Sequence, residues 1–496
     1  MKPSLRPKFL VFLGILVWSL VIAGSAAAQQ PLTIAIPTDP DSFDPHRSVA
    51  AATGEIAFNI YEGLVKAGPD GSIQPALSSQ WDISDDGLTY TFQLRHAYFH
   101  DGSRVTSSDV VFSLNRLRDP DISQRAGEYG VIESVTGLDG AVTIQLQRPH
   151  GPFLASLAEV AAAVIPEDAE NLAQEPVGTG PYTFVEWRPN QEVRLQRFED
   201  HWADVSPHFS VVSFAIVPDD NAAILSLKSG QIDIIPRLDP SLAHQVLDDR
   251  SLQVIPGPMN LVQLMALNNQ RPPFDDVRVR QALAKAVDRE ELIVGAAWGH
   301  GTALYSGLSP AMEVYYRVGL EAVHNRDLDA ARELLRQAGQ ERLEFTLDLP
   351  APYQIHVQTG EILAQQLAAI GVRVHLNIIE WGTWLERVYN QRDYEATIVG
   401  LAGRLDPHSV LIRYQSDSSR NFFNFNNETY DQLIDDAMQA TEDDRVELYQ
   451  QAQEILAHEA AGIFIMDPEQ LAVMRSGLQG WYNYPVYVID AASLYE

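Results

Sequence analysis

The 496-residue sequence contains no cysteine. That excludes disulfides, thiolate nucleophiles and Cys-ligated metals, and also a lipid carried on a cysteine after processing. Basic side chains are scarce: 35 Lys and Arg stand against 66 Asp and Glu, a formal net charge of −31. Such a field repels nucleic-acid phosphates, so no nucleic-acid partner is expected and the excess is read as serving solubility. Beyond the N-terminus no apolar run is long enough to span a bilayer, so the mature protein is not membrane-embedded. The zincin HExxH, the GxSxG nucleophile elbow, the P-loop and the dinucleotide GxGxxG are all missing. His96 and His100 are four apart but fall in a strand and a turn, not on one helix face. Catalysis is therefore not expected. The competing class, a secreted hydrolase, would need a base, a nucleophile or a metal converging in a cleft.

What is present begins with a targeting segment. Lys2, Arg6 and Lys8 precede the apolar run Phe9 to Ile22, and Ala26, Ala27 and Ala28 supply small residues before Gln29. That layout predicts a cleaved secretory signal peptide over 1–28 and a periplasmic location. A membrane anchor is the alternative, but the run is short for a spanning helix. The hydrophobic content of 46% is ample for packed cores, and the length implies two or three domains.

Along the chain, Leu32 to Ile36 reads as a strand, and Thr53 to Leu64 as a helix with Ile56, Ala57, Ile60 and Leu64 on one face. A β-rich region follows, with a strand at Leu88 to Leu94 and a capping-box-like helix start at Thr106 and Asp109. Gly178-Thr179-Gly180-Pro181-Tyr182 breaks the pattern, and Glu192 to Arg197 and Val211 to Val217 read as strands. Gly230, Gly339 and Gly371 each close a predicted helix. Asn268 to Arg289 (NNQRPPFDDVRVRQALAKAVDR) reads as an extended piece, a Pro-rich turn and an amphipathic helix capped by Asp275 or Asp276. Residues 290–470 alternate helix and strand, as an α/β lobe does.

The wording of Asn268 to Arg289 resembles a signature of the extracytoplasmic solute-binding proteins of family 5, which serve oligopeptide, dipeptide and nickel ABC importers. Further segments match that family in order: Ile60 to Leu64, Asp85 to Phe92, Phe99 to Gly102, Ser108 to Val110, Gly178 to Tyr182, Ser229 to Asp233, Asp406-Pro407 and Thr429 to Asp431. The resemblance implies an α/β, two-lobe periplasmic-binding-protein-like fold (type II) with an extra α+β subdomain inserted in lobe one. It divides the chain as 29–65, lobe I; 66–176, the inserted subdomain; 177–268, lobe I; 269–476, lobe II; and 477–496, a return to lobe I. It further implies a monomer that captures a small-molecule solute in an interlobe cleft and delivers it to ABC permease subunits, without a cofactor. A sensing role for the same fold is the third class.

In peptide-binding members a loop of the second lobe carries an aspartate for the peptide's amino group. Here that loop is Val399 to Pro407, and the acidic position falls on or beside Arg404. A guanidinium is a fork-shaped donor for carboxylate or phosphate, and in a poorly solvated cleft it would decide about 2–5 kcal/mol of selectivity against an ammonium group. This departure keeps open a peptide, a carboxylate-bearing solute or a non-peptide anion; the structural alternative is that Arg404 pairs with Asp406 or points outward. Asp406, Trp381, Trp384 and Thr53 complete the expected ligand-binding set, with core packing as the alternative for both tryptophans. Asp44-Pro45-His46 and Asp406-Pro407-His408 invite a metal reading, which two distant histidines support weakly, so no metal is expected.

Overall fold

The computed structural model describes residues 31–48, 50–203, 206–440 and 442–496. The expected signal peptide lies outside the described residues. One sheet organises both lobes. Its strands run in the order Arg373–Ile379, Glu344–Pro350, Ala396–Ala402, Leu261–Leu267, Gly462–Arg475, Ile234–Leu238, Leu32–Ile36, Val211–Ile216, Glu192–Arg197 and Tyr182–Arg188. Leu252–Pro258 and Gly301–Ala303 also pair with Gly462–Arg475.

The strand Gly462–Arg475 belongs to both lobes. Its first part pairs with Leu261–Leu267, and its last part, Glu469 to Arg475, with Leu252–Pro258. The chain therefore passes between lobes at Met259 and Asn260 and again near Pro468. The sequence reading set these boundaries at 268/269 and 476/477, where Pro-rich wording and the end of the α/β alternation stand out. The crossings instead run through extended backbone, with no change of composition to mark them. Asn260 takes a left-handed φ of 54° at the first crossing. Asp467, fully buried at the second, accepts the backbone N–H of Met259 at 3.1 Å and of Leu261 at 3.3 Å.

Apolar side chains cover both faces of each half-sheet. Leu283, Leu347, Leu363 and Ile398 belong to one core of the second lobe, and Leu264, Trp384, Tyr414 and Phe464 to the other. Ile34, Tyr182 and Phe214, and separately Ile224, Ile235 and Val473, do the same in the first lobe. The helix Val277–Ala286 forms as its spacing predicts, with Asp276 accepting from the Arg278 N–H and Ala282, Leu283 and Ala286 buried.

Within 66–176 a separate four-stranded antiparallel sheet, Ser78–Ile83, Thr89–Leu94, Ala141–Leu146 and Ile132–Leu138, carries its own core of Phe92, Leu114, Val142 and Ile144. The helix Ser107–Leu117 opens on a capping box between Thr106 and Asp109. The first helix is shorter than its apolar spacing suggests, Ala51–Ala57. Beyond it, the backbone N–H groups of Gly180 and Tyr182 bond to the carbonyls of Ile60 and Asn59 at 2.8 and 3.0 Å, so this stretch serves tertiary pairing and not a helix. After Arg475 the chain lies against the first lobe: Asn59 Nδ2 donates to the Ile489 carbonyl at 2.8 Å and Asn59 Oδ1 accepts from Ala491 N–H at 2.9 Å.

Candidate functional site

A cavity of ≈ 390 Å³ opens between the lobes. Its floor on the first lobe is the short helix Ala51–Ala57, whose small residues Ala51, Gly54 and Ala57 let it stay open. Thr53 lines it, but its hydroxyl is already engaged, donating to Asp41 Oδ1 at 2.7 Å. Val160 and Ala161 of the segment 66–176 and Val486 to Val488 of the C-terminal segment add apolar wall. The second lobe contributes Ala402 to Leu405 and Arg413. The size and mixed lining suit a small organic solute.

The loop at Gly403 is pinned to the interlobe crossing. The Gly403 N–H donates to the Asn260 carbonyl at 2.7 Å, and Asn260 Nδ2 donates to the Arg404 carbonyl at 3.2 Å and the Pro485 carbonyl at 2.9 Å. A Cβ on Gly403 would sit 2.3 Å from Asn260 Oδ1, so this close approach needs glycine. Leu405 then buries itself in the core that backs the four-stranded sheet, with Phe92, Val142 and Ile144.

Arg404 lines the cavity with an exposed side chain and does not pair with Asp406. Its Nη1 donates to Glu128 Oε1 at 3.0 Å and lies 3.7 Å from Glu159 Oε1, both in the segment 66–176. Glu159 also receives Arg125. Burial pushes the Glu159 carboxyl above its ordinary value, with Arg125 and Arg404 pulling against that. Two cations and two anions thus form one network across the cleft.

The remaining sequence-predicted residues lie elsewhere. Asp406 does not line the cavity: it is buried, pairs with Arg445 at 2.5 Å and accepts the His408 N–H at 2.9 Å, starting the next helical turn. Trp384 is 2% exposed in the core of the second lobe, its Nε1 donating to Thr397 Oγ1 at 2.8 Å. Trp381 stacks on it with centroids 4.9 Å apart. Neither tryptophan is brought to the cavity, because the strand before them sits at the outer edge of the sheet, far in strand order from the crossing. The two Asp-Pro-His motifs are separate local structures. Asp44 holds Arg116, whose Nη1 donates to His46 Nδ1 at 2.8 Å, leaving Nε2–H for the Ala163 carbonyl at 3.1 Å. Among the described residues no group of three His, Asp or Glu is arranged to hold a metal ion.

Sequence reasoning missed Arg125, Glu128, Glu159 and Arg413. The signal for two of them was local: Glu159 interrupts the apolar run Phe153 to Ile165, and Arg413 interrupts Val410 to Tyr414. A single charge in such a run is either buried with a partner or faces a cavity.

Two lobes joined by crossing strands, with a mixed cavity between them, define a protein that binds a solute in an interlobe cleft. The chain belongs to the bacterial extracellular solute-binding proteins, family 5, whose middle-region model matches residues 72–422. It is 27% identical to the dipeptide-binding protein of Escherichia coli K12, over 99% of this chain and 98% of that one. It is 30% identical to heme-binding protein A of Haemophilus influenzae, over 88% and 86% of the two chains. Its fold matches that of the periplasmic murein tripeptide-binding protein MppA in its unliganded open form, with a TM-score of 0.86 and 25% identity over 95% of this chain and 98% of that one. Among the described residues no helix is long and apolar enough to cross a membrane.

Proposed function

We propose that this chain is the solute-binding subunit of an ABC import system, which captures a peptide between its lobes and delivers it to the membrane permease. The observation that carries the reading is a cavity walled by both lobes and the inserted subdomain in a chain of this family. Peptide as the ligand class rests on the dipeptide- and tripeptide-binding relatives. Three arginines, Arg125, Arg404 and Arg413, line the cavity beside one carboxylate, Glu159, in a chain with nearly twice as many acidic as basic residues. That local reversal of charge favours a solute that brings a carboxylate.

The alternative of a non-peptide anion rested on Arg404. That side chain already has two carboxylate neighbours, so it does not by itself demand an anion. Work is done by trapping and not by chemistry: the solute binds the closed arrangement better and shifts the open–closed equilibrium by that difference. The short crossings at Met259-Asn260 and near Pro468 are the hinge. A cleaved signal over 1–28 would place the protein in the periplasm, and it would act as a monomer.

Small-angle scattering tests trapping. Saturation with a mixed di- to pentapeptide pool should reduce the radius of gyration, and an unchanged radius in protein shown by calorimetry to be saturated would contradict closure.

A further inference from the structure

Every charged side chain that lines the cavity is matched by an opposite charge except one. Arg125 and Arg404 share Glu159 and Glu128. Arg413, on the turn Ile412–Tyr414, donates only its Nε, to the Ser409 carbonyl at 3.3 Å. Among the described residues no carboxylate lies within ion-pair distance of it. The helical segment that carries it is anchored by Leu411 and Tyr414, both fully buried, so the arginine is held against the cavity by its neighbours' packing. Burial lowers its pKa, and the like charges of Arg420 and Arg404 add to that. An arginine stays charged in a protein, so this arrangement leaves a half-buried cation without a counter-ion.

Resting on the peptide reading above, we infer that Arg413 is the anchor for the carboxylate terminus of the bound peptide, and that Arg404 is instead part of the wall. Among the described residues the terminal nitrogens of Arg413 have no protein acceptor, and they present the paired donors that a carboxylate takes in a bidentate bond. Arrival of the anion also relieves the repulsion among the three arginines. Arg404 lacks that vacancy, because Glu128 and Glu159 already occupy it.

The test uses the mature protein with two tripeptide pools of the same side-chain composition, one with free carboxyl ends and one amidated, titrated by calorimetry. The wild type should prefer the free-acid pool by about tenfold or more, the loss of a hydrogen bond to a charged group. Arg413→Gln should lose the preference and bind both pools equally. Should that variant not unfold cooperatively, Arg413→Lys serves, and an intermediate preference is expected because the charge remains and the fork is lost. A preference retained in full by the variant, or no preference in the wild type, overturns the assignment of Arg413 and leaves peptide capture intact. Failure of the wild type to bind either pool overturns both.

Discussion

Arg404 reaches from the second lobe to Glu128 of the segment 66–176, Nη1 to Oε1 at 3.0 Å. The side chain is 47% exposed and its partner 36%, so the bond is well solvated. Solvated pairs are worth about 0–1 kcal/mol. A double-mutant cycle with Arg404→Ala and Glu128→Gln, read by urea denaturation, should therefore give a coupling below about 1 kcal/mol that shrinks further in salt. A larger coupling would mean that the pair is desolvated in solution and latches the lobes.

Gly178 has no room for a side chain. A Cβ there would lie 2.1 Å from the Ile60 carbonyl oxygen, and at Gly180 2.5 Å from that of Asn59. Gly178→Ala should cost about 1–3 kcal/mol, the usual range for forcing atoms into packed backbone, measured as a lowered urea midpoint at unchanged slope.

Trp384 is a core residue, and its loss should affect stability before affinity. Trp384→Ala removes a buried ring and its bond to Thr397, for a cost of about 3–5 kcal/mol. Peptide affinity below the unfolding transition should change less than twofold. A selective loss of affinity with normal stability would return this tryptophan to the cleft.

Acid should destabilise the fold well above the carboxylate range. Burial depresses the pKa of His46, His100, His324, His356 and His408 to about 4. Unfolded histidine titrates near 6.5, so between about 6.5 and 4 the unfolded chain binds more protons. Stability is then full above 6.5 and is lost as the pH falls toward 4, by on the order of 3 kcal/mol per histidine at most. Asp467 acts oppositely. Burial raises its carboxyl to about 6, so its contribution is full below the ordinary carboxylate value and is lost as the pH rises through 6. Melting temperatures across pH 4–7 should fall toward acid in the wild type, and more steeply in Asp467→Asn. A flat profile would contradict the buried neutral imidazoles.

The α/β class, the capping box at Thr106 and Asp109, and the helix stops at Gly230, Gly339 and Gly371 were legible because each is written in a few adjacent residues. The lobe crossing at Asn260 was not. It is ordinary strand on either side, and only its neighbours distant in sequence, Asp467 and Gly403, mark the crossing. The site was half legible. The loop at Arg404 stood out by its wording, but its partners Glu128 and Glu159 lie more than two hundred residues away. Trp381 and Trp384 misled because an aromatic pair after a strand reads alike for a cleft and for a core.

The central claim is tested most directly by thermal unfolding of the mature, ligand-free protein with and without a mixed di- to pentapeptide pool. A ligand at about a hundredfold above its dissociation constant adds roughly 2.7 kcal/mol to the folded state, so the midpoint should rise clearly. No rise, in protein first shown to carry no bound solute, would contradict peptide capture.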